Sequence, residues 1–102
     1  MRLYREQHAN LHGGIGIVWT TTFLIFPKLL PNLRLIKLSL EPLSSIGKHT
    51  HTTDREIYIT FDYNILFNDK SKWNFINFCR KEHSHSAENI GNTSANIYAF
   101  KF

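Results

Sequence analysis

The sequence has one cysteine, no cluster of basic residues and no apolar run long enough to span a bilayer, and each lack removes a class of protein. With Cys79 alone, an internal disulfide is excluded. The usage fits a reducing compartment, and an inert, buried thiol is the expectation for this side chain. The most apolar stretch, Phe23 to Leu30, is cut by Pro27, and no signal-peptide core follows the basic residues near the start. The expected location is therefore cytoplasmic, with no membrane contact. A net charge of +4 and a pI of about 9.4 would suggest nucleic acid if the charges were grouped. They are scattered: Arg34 and Lys37 fall inside an apolar strand pattern, Lys70 and Lys72 flank a turn, Arg80 and Lys81 stand as an isolated pair, and acidic residues lie between. No nucleic-acid partner is expected. Asn92-Thr93-Ser94 fits a glycosylation pattern but, with no secretory signal, reads as an ordinary turn.

What is present reads as short strands. A chain of 102 residues has room for one domain of two packed layers. Ile15 to Phe26 is rich in Val, Ile, Thr, Trp and Phe, and Pro27 to Asn32 is turn material. Leu33 to Leu40 nearly alternates, which puts Leu38 and Leu40 on one face, and a slip at Leu35-Ile36 suggests a bulge. Glu41-Pro42 ends that strand. Glu56 to Phe61 alternates again, so Glu56, Tyr58 and Thr60 share one face and Ile57, Ile59 and Phe61 the other. Asn68-Asp69-Lys70 reads as a hairpin turn between Ile65-Leu66-Phe67 and the segment Trp73 to Phe78. The chain finishes as a strand from Ile97 to Phe102. No helix longer than two turns is expected, and the spacing of strands and turns indicates an all-β sandwich or barrel.

Six histidines carry the chemistry. His49-Thr50-His51 and His83-Ser84-His85 are two identical His-x-His doublets, and in a strand each doublet aims both imidazoles to one side. With Glu56 just after the first doublet, the set matches the ligand chemistry of first-row metals. His8 and His12 are spaced as on one face of a helix that Gly13-Gly14 would stop. Lacking a third ligand, they read as part of a solvated arm. Trp19, Phe23, Trp73, Phe75 and Phe78 could line a cavity, fill a core or mark a surface between two copies.

In this order the residues resemble the cupin superfamily. His49, His51 and Glu56 match its first motif, and His85 with Asn89 matches its second. Leu40-Glu41-Pro42, Glu56-Ile57-Tyr58 and the run from His83 to Asn89 resemble small single-domain cupins. The resemblance extends back to Gly13-Gly14 and implies an all-β, single-domain jelly-roll barrel, with residues 1–14 as an N-terminal arm and residues 15–102 as the barrel. It implies a divalent transition metal (Mn, Fe, Co, Ni or Zn) held by His49, His51, Glu56 and His85. Tyr58 would contact a ligand or, as the preferred reading, pack in the core; His83 would be a rim contact or a surface residue. The functions implied are a metal-dependent enzyme acting on a small oxygenated substrate, of dioxygenase, decarboxylase or isomerase type, or a non-enzymatic module that binds a small ligand or uses metal for stability. A homodimer is expected, with Ile15 to Phe26 offering a strand edge to a second copy. The family's glycine and proline positions fall here on Leu43, Tyr63, Asn74, Arg80 and Glu82. Because Leu and Tyr adopt positive φ only with strain, several turns are expected to change shape.

Overall fold

The computed structural model describes residues 2–24, 28, 33–50, 55–68, 75–79 and 84–102. Nine strands account for most of them: β1 (Arg2–Ala9), β2 (Ile17–Leu24), β3 (Arg34–Leu40), β4 (Ser45–Thr50), β5 (Glu56–Ile59), β6 (Ile65–Phe67), β7 (Ile76–Cys79), β8 (Ser84–Asn89) and β9 (Ala95–Lys101). A 3-10 turn, Leu11–Gly13, joins β1 to β2. Among the described residues no helix is long and apolar enough to cross a membrane. All strand pairs are antiparallel, in a six-stranded sheet of order β1-β2-β3-β9-β5-β7 and a three-stranded sheet of order β4-β8-β6. The two sheets form the jelly-roll barrel that the alternating patterns and the resemblance anticipate.

The core sits between the sheets. Val18, Leu38, Leu40, Ile65, Phe67, Ile97 and Ala99 are buried there, each on the inward parity of its strand, where removal from water contributes about 25 cal/mol per Å² of apolar surface. Along β3 the faces alternate without interruption. Its pairing with β2 and with β9 runs through Leu35 and Ile36 in unbroken register, so the bulge expected there is absent. Leu35 and Ile36 are simply successive apolar residues on opposite faces of a strand covered on both sides.

Three further expectations are corrected by the pairing. Arg2–Ala9 is a strand, in register with the whole of β2, and its mostly exposed side chains reflect an edge position. For the same reason Ile17–Leu24 offers no edge to a second copy, since β1 and β3 flank it on both sides. The expected hairpin across Asn68 does not form either. β6 pairs with β8 and β7 with β5, so the connection passes from one sheet to the other. Asn68 does take the left-handed backbone, with φ 56°, and its Oδ1 accepts from the Ser86 amide at 3.0 Å, extending the β6–β8 ladder.

The tight turn after β3 tests the reading of the glycine positions. The Ser44 amide donates to the Glu41 carbonyl at 3.0 Å, with Pro42 at the second position and Leu43 at the third with φ 61°. That is the type II pattern, which favours glycine at its third position. Leu43 thus occupies a position that favours glycine and carries strain of about 1–2 kcal/mol for an L-residue held left-handed. Tyr63 has no positive φ, and Asn74, Arg80 and Glu82 lie outside the described residues. Leu43 is 69% exposed and so has little packing to lose. Leu43→Gly is expected to raise stability by about 1 kcal/mol, after allowance for glycine's extra freedom when unfolded, and the melting temperature by roughly 5 °C. A lower melting temperature for the variant in a thermal scan would contradict the strain.

Candidate functional site

His49 owes its direction to a bulge. In β4, Ile46 lies opposite Ala87 and His49 opposite His85, so three steps on β4 match two on β8. Ile46 is buried and faces inward. Without the extra residue His49 would point outward, and the shift at Gly47-Lys48 turns it in. Its Nδ1 lies 2.8 Å from the Gly47 carbonyl. Because a carbonyl only accepts, Nδ1 carries the proton and Nε2 keeps its lone pair, the tautomer needed for ligation through Nε2. His85 stands directly across the strand pair, with its ring centroid 4.2 Å from that of His49.

Glu56 comes from the opposite sheet. β5 runs against the usual binary pattern: Glu56, Tyr58 and Thr60 are buried while Ile57 and Ile59 are only half covered. Burying a carboxylate on the core side of a strand conflicts with burial energetics, and such conflicts concentrate at functional sites. The Glu56 carboxylate has its Oε1 3.8 Å from His85 Nε2 and 3.8 Å from Lys101 Nζ. Lys101 is the backbone partner of Glu56 across the β5–β9 ladder. Burial first, and then the Glu56 charge and a hydrogen bond to it, drive the Tyr58 hydroxyl far above its ordinary range. Burial, again ahead of Glu56, pushes the Cys79 thiol up to about 12. Both groups therefore hold their protons at neutral pH, which agrees with an inert Cys79. Tyr58 is 5% exposed and stacks on Phe67 with ring centroids 5.6 Å apart, a core contact.

His49, Glu56, Tyr58 and Lys101 border a cavity of about 240 Å³ whose described lining also includes His8, His12 and Thr20. Sequence reasoning misses His8 and His12 as site residues because, spaced as on a helix and lacking a third ligand nearby, they read as a solvated arm. The usable signal was period two: Glu6 and His8 share a strand face, and both line the cavity. His8 Nε2 lies 3.0 Å from the Thr20 hydroxyl. His12 stacks flat on His49, with centroids 3.9 Å apart and planes inclined by 12°. Close backbone packing makes this possible. A Cβ on Gly47 would collide with the His12 carbonyl, and one on Gly14 with the Ser45 carbonyl, so glycine is required at both crossings. Lys101 was also missed. It ends the face Ala95, Ile97, Ala99, Lys101, otherwise small and apolar, and a lone charge closing such a face was its signal.

Of the four expected metal ligands, the structure brings His49, Glu56 and His85 together, while His51 lies outside the described residues, as does His83. Among the described residues, no group of three His, Cys, Asp or Glu side chains is drawn in closely enough to hold an ion. The 3.8 Å between Glu56 Oε1 and His85 Nε2 is slightly wider than two neighbouring ligands span on one tetrahedral ion with bonds of about 2.0–2.2 Å. The donor set nonetheless fits a divalent transition metal: a carboxylate and two imidazoles, one of them holding its proton on Nδ1. Asn89, matched beside His85, is not a ligand. It lies at the far end of β8 and clamps backbone.

A two-sheet antiparallel barrel with imidazoles and a carboxylate at its cavity defines a small cupin-type protein. The fold agrees with that of a cupin 2 conserved barrel domain protein from Salinispora arenicola, with a TM-score of 0.64 at 14% identity over 83% of this chain and 75% of that one. A predicted oxalate decarboxylase from Thermotoga maritima matches with a TM-score of 0.78 at 29% identity, covering 98% of this chain and 92% of its own. An oxalate-binding protein from the same organism is 32% identical over 100 residues, which span 92% of this chain and 83% of that relative. No family model matches the sequence. On the strength of the last relative and the shared fold, the chain belongs to the cupin family.

Proposed function

We propose that this cupin holds a divalent transition metal through His49, His51, Glu56 and His85 and uses it to capture a small oxygenated anion of the oxalate class. The observation that carries the reading is a buried carboxylate, Glu56, set among His85, His49 and Lys101 at the edge of a cavity. A buried carboxylate with imidazole neighbours suits a divalent cation. The cavity, at about 240 Å³, is smaller than the roughly 300–1,000 Å³ of drug-sized sites and suits a ligand of few atoms. An oxalate-binding relative supports the same ligand class. The metal, when bound, would supply Lewis-acid attraction for carboxylate oxygens. The protein's part is to fix the His49 tautomer, hold Glu56 in place and keep the cavity walls dry with Ile36, Leu38 and Ala99.

Binding is preferred to turnover because the relative that is 32% identical is an oxalate-binding protein. A second reading, catalysis on the same ligand, draws support from His8 and His12 on the cavity wall, where imidazoles could pass protons. Elemental analysis of protein purified without added metal, followed by calorimetry, tests the proposal. About one transition-metal ion per chain is expected, with oxalate binding that disappears on chelation. Protein that takes up no Mn, Fe, Co, Ni or Zn at micromolar concentration would overturn it. Loss of oxalate with formation of product by the metal-loaded protein would replace capture with catalysis.

A further inference from the structure

We infer that Lys101 is the residue that makes ligand capture conditional on the metal: its ammonium is held by Glu56 while the centre is empty and is released to the anion when a divalent ion takes over that carboxylate. The inference rests on the function proposed above. Three observations lead to it. Lys101 Nζ lies 3.8 Å from Glu56 Oε1, and the Lys101 side chain is 19% exposed, sheltered enough for the charge to matter and free enough to turn. It is the single Lys or Arg among the described residues lining the cavity. Two carboxylates, Glu6 and Glu56, line the same space, so with neutral imidazoles the described residues of the lining carry one net negative charge.

That balance decides what the cavity attracts. Without a metal, a net negative lining repels a dicarboxylate, and Lys101 is engaged by Glu56. A divalent ion shifts the lining to one net positive charge and competes with Lys101 for the Glu56 oxygens. The released ammonium can then form a charge-assisted hydrogen bond with a ligand carboxylate. The Thr20 and Thr22 hydroxyls on the same wall can satisfy remaining oxygens. A monocarboxylate of similar size could engage the metal but would leave Lys101 unmatched, so the arrangement selects a dianion.

A positioning effect on the fold would move both affinities the same way; the inference requires that they separate. In Lys101→Met, metal affinity measured by competition with a chelator is expected to rise about tenfold, because the cation opposing the metal is gone. Oxalate affinity of the metal-loaded variant, measured by calorimetry, is expected to fall about tenfold or more. Lys101→Arg keeps the charge and should hold oxalate affinity within about threefold of wild type. Wild-type protein that takes up no metal defeats the function proposed above. Wild type that binds metal and oxalate, with Lys101→Met unchanged or with both affinities shifted in one direction, defeats only the role of Lys101. Loss of oxalate binding in Lys101→Arg equal to that in Lys101→Met would also overturn it.

Discussion

Glu56→Gln is expected to lower metal affinity by more than about a hundredfold while leaving the melting temperature unchanged or higher. The first half follows from ligation. Changes to groups that merely orient a ligand weaken metal sites by about 10–100-fold, so loss of a ligand's charge must exceed that. The second half follows from burial. Glu56 is 3% exposed, and taking a carboxylate out of water costs several kcal/mol, only partly offset by Lys101 at 3.8 Å and a hydrogen bond with the Tyr58 hydroxyl. The amide keeps the shape and lacks the charge. Lys101, relieved of its partner, is exposed enough to extend its amine toward solvent. A purely structural Glu56 would behave in the opposite way, with stability falling and no metal affinity to lose. Chelator competition and a thermal scan on the same preparation separate the two. A variant that binds metal as wild type does would remove Glu56 from the centre, and one that melts more than about 10 °C lower would make it a structural residue.

How much of this was legible in the sequence depends on the range of the interaction. Strand alternation is local, so the sidedness of Leu38 and Leu40, and of Glu56 and Tyr58, could be read directly and agrees with their burial. Pairing is not local. Nothing in the text from Ile65 to Phe78 distinguishes a hairpin from two strands in opposite sheets, because each strand's partner lies on a distant segment. The bulge is expected in β3, where two apolar residues adjoin, and occurs in β4, between Ile46 and His49. That displacement matters for function. Read without it, Ile46 and His49 fall on opposite faces, and only the extra residue lets both border one cavity. The histidines of the first segment were misplaced for a related reason: spacing of four is a helix signal only if a helix forms, and Arg2–Ala9 is committed to pairing with β2. Lys101 and Glu56 became neighbours through a ladder between residues far apart in the chain, beyond the reach of any local pattern.

Asn89→Ala is expected to destabilise the protein by about 3–5 kcal/mol, the largest effect on stability anticipated for a single side chain here. The Asn89 amide donates to the carbonyls of Leu40 at 3.0 Å, Glu41 at 3.3 Å and Thr93 at 2.8 Å, and its Oδ1 accepts from the Gly91 amide at 2.9 Å. The residue is 2% exposed, so groups abandoned by alanine cannot turn to water, at about 1–3 kcal/mol for each buried group left unsatisfied. Against a total of roughly 5–15 kcal/mol for a domain of this size, that is a large fraction. Asn89→Asp should be no better, since a carboxylate would present lone pairs to three carbonyls while keeping only the contact to Gly91. The consequence reaches the metal centre through β8. Asn89 ties the end of that strand to the last residues of β3 and the turn after it, and its own amide donates to the Ser44 carbonyl at 2.9 Å. This fixes β8 beside the start of β4 and so sets the register in which His85 faces His49. Urea unfolding measures the stability loss, and a value below about 1 kcal/mol would show that the clamp carries little weight. If the clamp acts only through stability, folded Asn89→Ala protein at low temperature still binds metal; if it also sets the register, affinity falls with the fold intact. The second outcome is expected, because β4 and β8 share the three-stranded sheet while Glu56 belongs to the other, and small relative movement of β8 opens the distance from His85 to Glu56 before the strands part.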